Sequence, residues 1–177
     1  GERPVAEEGD PVELVARHAK VAEDPPRVGL GRDGNLDYLS PQEARQALFT
    51  QLVTGLEFVA DQRLGRPLGT FDRPRPERAE ARFSGRSVRN VRLSMEALAA
   101  LAVDLVPDSP QTQAAFARAA TLAAALPEDA LSRVQDPQVW LKVQILQQAV
   151  HAARDAAQAE IGPALDVGVG FNAADGD

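Results

Sequence analysis

The sequence predicts an all-α protein, an antiparallel bundle of about five helices, and three observations carry that expectation. A side-chain acceptor followed by proline recurs at Asp10-Pro11, Ser40-Pro41, Ser109-Pro110 and Asp136-Pro137. Proline at the first helical position loses nothing by lacking its N–H, and the acceptor before it caps a free amide. Apolar residues recur at three- and four-residue intervals through every long segment. No run alternates apolar and polar residues between turn signals, so no strand is expected.

The first helix is placed over 11–24, with Asp10 as its cap and Glu13 at the capping-box spacing. The second, over 41–64, repeats that grammar with Ser40 and Glu43 and buries Ala44, Leu48, Leu52, Leu56 and Val59. The third, over 84–106, is announced by periodicity alone. Val88, Met95 and Ala102 fall seven apart with Val91, Leu98 and Leu105 between them, and the pattern stops before Pro107. The fourth, over 110–126, is so rich in alanine that its neighbours must approach closely, with Phe116, Leu122 and Leu126 supplying bulk. The fifth, over 137–161, carries Val139, Val143, Leu146, Val150 and Ala157 on one face. Loops fall at 25–39 and 65–76, and 162–177 is an irregular tail. Residues 1–177 are read as a single helical domain.

At 177 residues and 18.9 kDa the chain is one packed unit in size. It contains no cysteine, which excludes disulfides, thiolate metal sites and cysteine nucleophiles, and its 2 histidines exclude a histidine-dense metal centre. No stretch approaches the ~18 apolar residues a membrane span needs. The first residues, Gly1-Glu2-Arg3-Pro4, do not read as a signal peptide. A formal charge of −7 sets the average surface against nucleic acid, so no nucleic-acid partner is expected. The charge is uneven, however. Between Arg63 and Arg92 stand Arg63, Arg66, Arg73, Arg75, Arg78, Arg82, Arg86, Arg89 and Arg92, against only Asp72, Glu77 and Glu80. Such a segment, folded compactly, makes one positive patch on an acidic protein. The plainer expectation is a solvated face whose arginines pair with acidic residues of neighbouring helices.

Gly29-Leu30-Gly31-Arg32-Asp33-Gly34 matches the dinucleotide-binding letters, but Pro25-Pro26 precedes it and no helix follows until Pro41, so the strand-turn-helix context is missing. Asp33, Asn35 and Asp37 imitate the start of a calcium loop. Tyr38 and Ala44 then stand where the turn glycine and the bidentate glutamate belong, so an Asx-rich turn is the reading. His18 and His151 sit in no metal-ligand frame. His151 has Asp155 one turn on and Gln147 and Gln148 one turn back, the setting of a solvated or supporting histidine. The Arg-rich stretch is more informative. Ser84-Gly85-Arg86-Ser87 sits at the start of the third helix, where unpaired N–H groups favour anions, and Ser87, Asn90 and Ser94 continue a polar line beside the apolar seam.

Four segments together resemble the C-terminal half of imelysin-like proteins. They are Leu52-Val53-Thr54-Gly55-Leu56-Glu57-Phe58-Val59, then Asp61-Gln62-Arg63-Leu64-Gly65-Arg66-Pro67-Leu68-Gly69, then Ser84-Gly85-Arg86-Ser87-Val88-Arg89-Asn90, and the tail Gly170-Phe171-Asn172-Ala173-Ala174-Asp175-Gly176-Asp177. The resemblance runs from about Pro41 to the end. It implies an all-helical bacterial cell-envelope protein of two halves, linked to iron uptake, with a site in the cleft between them, in a family classed with metallopeptidases. The family's G-x-H-x-x-E metal motif belongs to the other half, and Ala16-Arg17-His18-Ala19-Lys20 does not supply it.

The chain is therefore expected to be one half of a periplasmic or outer-membrane-associated protein, partnered by an N-terminal half. On this reading it contributes Arg86, Ser87 and Asn90, with Asn172 and Asp175, to a ligand-binding cleft. No catalytic residue and no metal ligand is assigned within it, and any cofactor is unknown, with a metal ion allowed for in the complete protein. Two alternatives stand beside this: part of a metallopeptidase whose metal-binding half is elsewhere, and a helical protein-interaction module. A plainer role for Asp175 is to pair with Arg86 and pin the tail.

Overall fold

A computed structural model describes residues 40–167. The chain divides into two compact units, Gly1–Ala44 and Arg45–Asp177. All described residues except 40–44 belong to the second, whose fold follows. The helix expected over 11–24, His18, the motif from Gly29 to Gly34 and the Asp33, Asn35 and Asp37 spacing lie outside the described residues.

Among the described residues the fold is all-α. Helix α1 covers Pro41–Glu57 and continues as a π-helix over Phe58–Gly65 and a last α-helical turn over Arg66–Leu68. Helix α2 is Ser87–Leu105, α3 is Pro110–Ala124 and α4 is Pro137–Ala164. Short 3₁₀ turns occupy Pro76–Arg78, Arg82–Ser84 and Ala130–Ser132. No helix among the described residues is long and apolar enough to cross a membrane.

Several boundaries move from their expected places, each for a local reason. The helix expected over 41–64 reaches Leu68 and stops where Gly69 turns to positive φ. The helix expected over 84–106 starts at Ser87, because Gly85 takes a left-handed conformation and breaks the run from Arg82–Ser84. It ends at Leu105 with Val106 extended, the conformation forced on a residue before proline. The helix expected over 110–126 ends at Ala124. The helix expected over 137–161 continues to Ala164, so the tail expected from 162 begins later.

Two of the cap-proline starts work as the sequence suggests. Ser40 Oγ accepts the Glu43 amide at 3.1 Å, and Asp136 Oδ1 accepts the Gln138 amide at 2.9 Å. Ser109 does not cap α3, since its hydroxyl turns back to donate to the Val106 carbonyl at 2.9 Å. Glu160 of α4 takes its place. One carboxylate oxygen accepts the Gln111 amide at 3.2 Å, and the other accepts the Thr112 amide and hydroxyl, both at 2.7 Å. At the far end of α3, Arg92 of α2 donates from Nε to the Ala123 carbonyl at 3.0 Å and from Nη2 to the Leu126 carbonyl at 2.6 Å, and pairs with Glu128. A carboxylate thus meets the positive end of the α3 dipole and a guanidinium the negative end, each supplied by a neighbouring helix.

Desolvation works to raise the pKa of Glu160, but the hydrogen bonds from Thr112 and Gln111 outweigh it and hold the carboxyl below its ordinary value of 4.5. A depressed folded pKa stabilises the fold above the unfolded value and ceases to do so as pH falls through the folded one. Glu160→Gln is therefore expected to melt at a lower temperature than the parent at neutral pH, with the difference shrinking as pH falls below 4.5. Thermal melts across that range check it. A difference that stays constant with pH would show that the charge is not what the cap uses.

The core follows the apolar stripes. Val139, Val143, Leu146, Val150, Ala153, Ala157 and Ile161 of α4 are buried, as are Phe116, Ala119 and Ala123 of α3 and Val88, Val91, Met95 and Ala102 of α2. Helices α3 and α4 make the most extensive helix-to-helix contact, which the alanines at their buried faces permit. The heptad seam of α2 is covered unevenly, with Leu98 and Leu105 only half-buried.

Candidate functional site

The site begins in the spacing of α1. Leu56, Ala60, Leu64 and Leu68 are all buried, and they fall four residues apart. That interval exceeds the 3.6-residue α period, so a regular helix would swing the later ones off the buried face. The wider π turns over Phe58–Gly65 keep them in register. Gln147 of α4 donates to the Ala60 carbonyl at 3.0 Å beside this stretch. A Cβ at Gly65 would lie 2.9 Å from Gln147 Nε2 and 3.2 Å from the Ala60 oxygen, so this approach requires a glycine or a displaced Gln147.

The π-helix delivers Arg63 to the start of α2. Arg63 Nη1 donates to the Asn90 carbonyl at 3.0 Å and to the Ser94 hydroxyl. Its Nε lies 2.8 Å from Glu80 Oε2, although the N–H does not point at that oxygen, so the contact is an ion pair rather than a directed hydrogen bond. The guanidinium also sits 5.3 Å from the centre of the Phe58 ring. Glu80 gathers the rest. Its carbonyl accepts the Ser87 hydroxyl, and its Oε1 stands 3.5 Å from Asn90 Nδ2. Loop and helix start are thereby tied to α1 by one connected set of polar groups.

The residues expected at the site separate into three cases. Ser87 is buried and spends its hydroxyl on the Glu80 carbonyl, while Asn90 is half-buried and engaged with Glu80 and Arg63. Arg86 is exposed at the position before the first turn of α2, and among the described residues its side chain has no ion-pair partner. Asn172 and Asp175 lie outside the described residues, and with them the pairing of Asp175 with Arg86. Arg63 is not among the residues expected at the site. It sits 27 and 31 residues from the groups it binds, and in the sequence it stands out only as a member of the arginine run and of the resembling segment 61–69. His151 likewise has a partner that spacing did not name: its Nε2 is 3.4 Å from Asp61 Oδ1 on the π-helix, while Asp155 pairs with Arg154.

The nine arginines divide by what they meet. Arg63 and Arg92 pair with Glu80 and Glu128, which stand in loops rather than on the neighbouring helices where a structural reading of the run expects partners. Arg82 lies over the Phe83 ring at 4.6 Å. Arg66, Arg73, Arg75 and Arg78 line a common pocket. Among the described residues no three His, Asp or Glu side chains converge as a metal site would need.

Compared with protein-family models, the chain matches the one described as Imelysin (Peptidase_M75) over residues 12–157. Comparison with curated proteins and with solved structures found no significant match.

Proposed function

The chain belongs to the imelysin family, and from that premise we propose that it is the C-terminal, ligand-binding half of an imelysin-like cell-envelope protein. It works in the periplasm or at the outer membrane and serves iron uptake by binding a metal or an anionic ligand. It forms one wall of an inter-domain cleft, and an N-terminal half bearing the metal ligands forms the other. Arg86, Ser87 and Asn90 belong to this wall, and Asn172 and Asp175, which lie outside the described residues, are assigned to it with them.

The observation that supports this reading is the division of labour at the start of α2. Arg63 and Glu80 fix the helix start, so Ser87 and Asn90 serve as its foundation. Arg86 is then left exposed beside free helical amides, where a fixed positive charge adds to the pull of the helix dipole on an anion. Peptide hydrolysis is not assigned to the described residues, because a polarised water needs ligands to hold an ion, and they gather no such set.

Calorimetric titration of the chain with Zn²⁺ and with Fe²⁺ is expected to show no site tighter than about 1 µM, since the described residues bring no three His, Asp or Glu side chains together. The protein that includes its N-terminal half is expected to show one. A submicromolar site on the chain alone would sink the reading, as would the absence of such a site from the two-half protein.

A further inference from the structure

The arginine pocket carries an inference independent of the α2 site, with which it shares no charged or hydrogen-bonding side chain. Arg66, Arg73, Arg75 and Arg78 line a concavity of about 180 Å³ together with Gly65, Gly69 and Thr70. None of the four has a carboxylate within ion-pairing distance among the described residues, although Asp72 and Glu77 are their chain neighbours. In a chain of formal charge −7, four arginines thus line one small space with no carboxylate paired to any of them among the described residues. An anion held there would meet a concentrated positive potential on an otherwise acidic protein.

The pocket is also built rather than incidental. Gly69 ends the first helix at φ +57, and its amide donates to the Gly65 carbonyl at 3.0 Å. Thr70 and Arg73 exchange backbone bonds at 3.4 and 3.0 Å, closing a turn. The Arg75 amide returns to the Pro67 carbonyl at 2.8 Å, and the Arg78 amide donates to the Arg75 carbonyl at 2.9 Å. Pro74 and Pro76 restrict the residues before them, so Arg73 and Arg75 hold a narrow range of backbone angles. Trp140 anchors the whole turn, donating from Nε1 to the Leu68 carbonyl at 3.0 Å and meeting Phe71 edge to face at 5.3 Å. The four arginines are therefore carried on a backbone whose ordering entropy is already spent, and a guanidinium is a planar fork suited to oxyanions.

We propose that the pocket formed by Arg66, Arg73, Arg75 and Arg78 is a binding site for a compact multivalent oxyanion, a phosphate or a polycarboxylate. The volume is below the range typical of drug-sized ligands and suits a small ion. The anion binds through charge-assisted N–H···O bonds, and its affinity falls as salt rises.

The test is calorimetric titration of the chain at low ionic strength with inorganic phosphate, pyrophosphate and citrate, with chloride as the reference. Saturable binding of at least one of the three is expected, with phosphates and citrate ranked by the result. Arg73→Gln with Arg75→Gln should weaken it by about tenfold or more, while Arg118→Gln, which removes one charge from α3, should leave it within about twofold. If the first pair fails to fold by circular dichroism, Arg66→Gln with Arg78→Gln replaces it with the same expectation. Absence of saturable binding to all three anions overturns the proposal, as does equal weakening by Arg118→Gln, which would reveal net charge alone. Binding confined to single-stranded DNA or to anionic vesicles also overturns it. The α2 reading stands or falls separately, on the metal titration.

Discussion

Leu146→Ala is expected to lower the stability of the fold by about 3 kcal/mol, within the ~2–5 kcal/mol range of large-to-small core replacements. Leu146 is 0% exposed on α4, the helix that packs most extensively on α3 and also contacts the π-helical part of α1. Truncation removes the transfer free energy of the lost carbons and leaves a void. Its surroundings have little freedom to close, because Val143 and Val150, one turn away on the same helix, are themselves fully buried. A typical domain has only about 5–15 kcal/mol in total, so the urea midpoint should fall by a large fraction. Leu141 on the same helix is 52% exposed, and its replacement by alanine should stay within about 0.5 kcal/mol. Equal midpoints for the two variants would contradict the placement of the α4 stripe in the core.

Gly69→Ala is expected to cost about 3 kcal/mol, because two independent penalties fall on one residue. Its φ of +57 and ψ of −125 form a combination that glycine adopts and side chains resist. In addition, a Cβ there would stand 2.4 Å from the Arg73 carbonyl oxygen and 3.3 Å from Arg75 Cγ. The nearer atom is backbone in a hydrogen-bonded turn, so relief requires moving the turn itself. Gly85 provides the comparison, for it has φ +66 but a Cβ would meet nothing within 4 Å. Gly85→Ala should cost only about 1 kcal/mol, the backbone penalty alone. Denaturant unfolding of the two variants separates the causes. If both cost the same, crowding at Gly69 contributes nothing and the turn is looser than its hydrogen bonds indicate.

The sequence by itself determined the helical class, the stripes that became the core, and those helix starts whose signals are local. Ser40 and Asp136 cap their own helices within three residues, and Val139, Val143, Leu146 and Val150 share a face by period alone. Letters along α1 and α2 also carried the family resemblance, and the family match includes them. Of the candidate site, the polar line Ser87, Asn90 and Ser94 was legible as a line, because helical spacing is a local property. What those residues bind was not. Arg63 reaches them only because π turns re-register α1 by a fraction of a residue per turn, a choice driven by the burial of Ala60, Leu64 and Leu68. The capping of α3 by Glu160 and Arg92 joins groups 48 and 31 residues apart, and Ser109 lost that role to a carboxylate from another helix. The arginine run showed charge but not its division into paired, capping and converging members. Hydrogen-bonded turns and packed helices decide which distant side chains share a space, and that geometry exists only once the chain has folded.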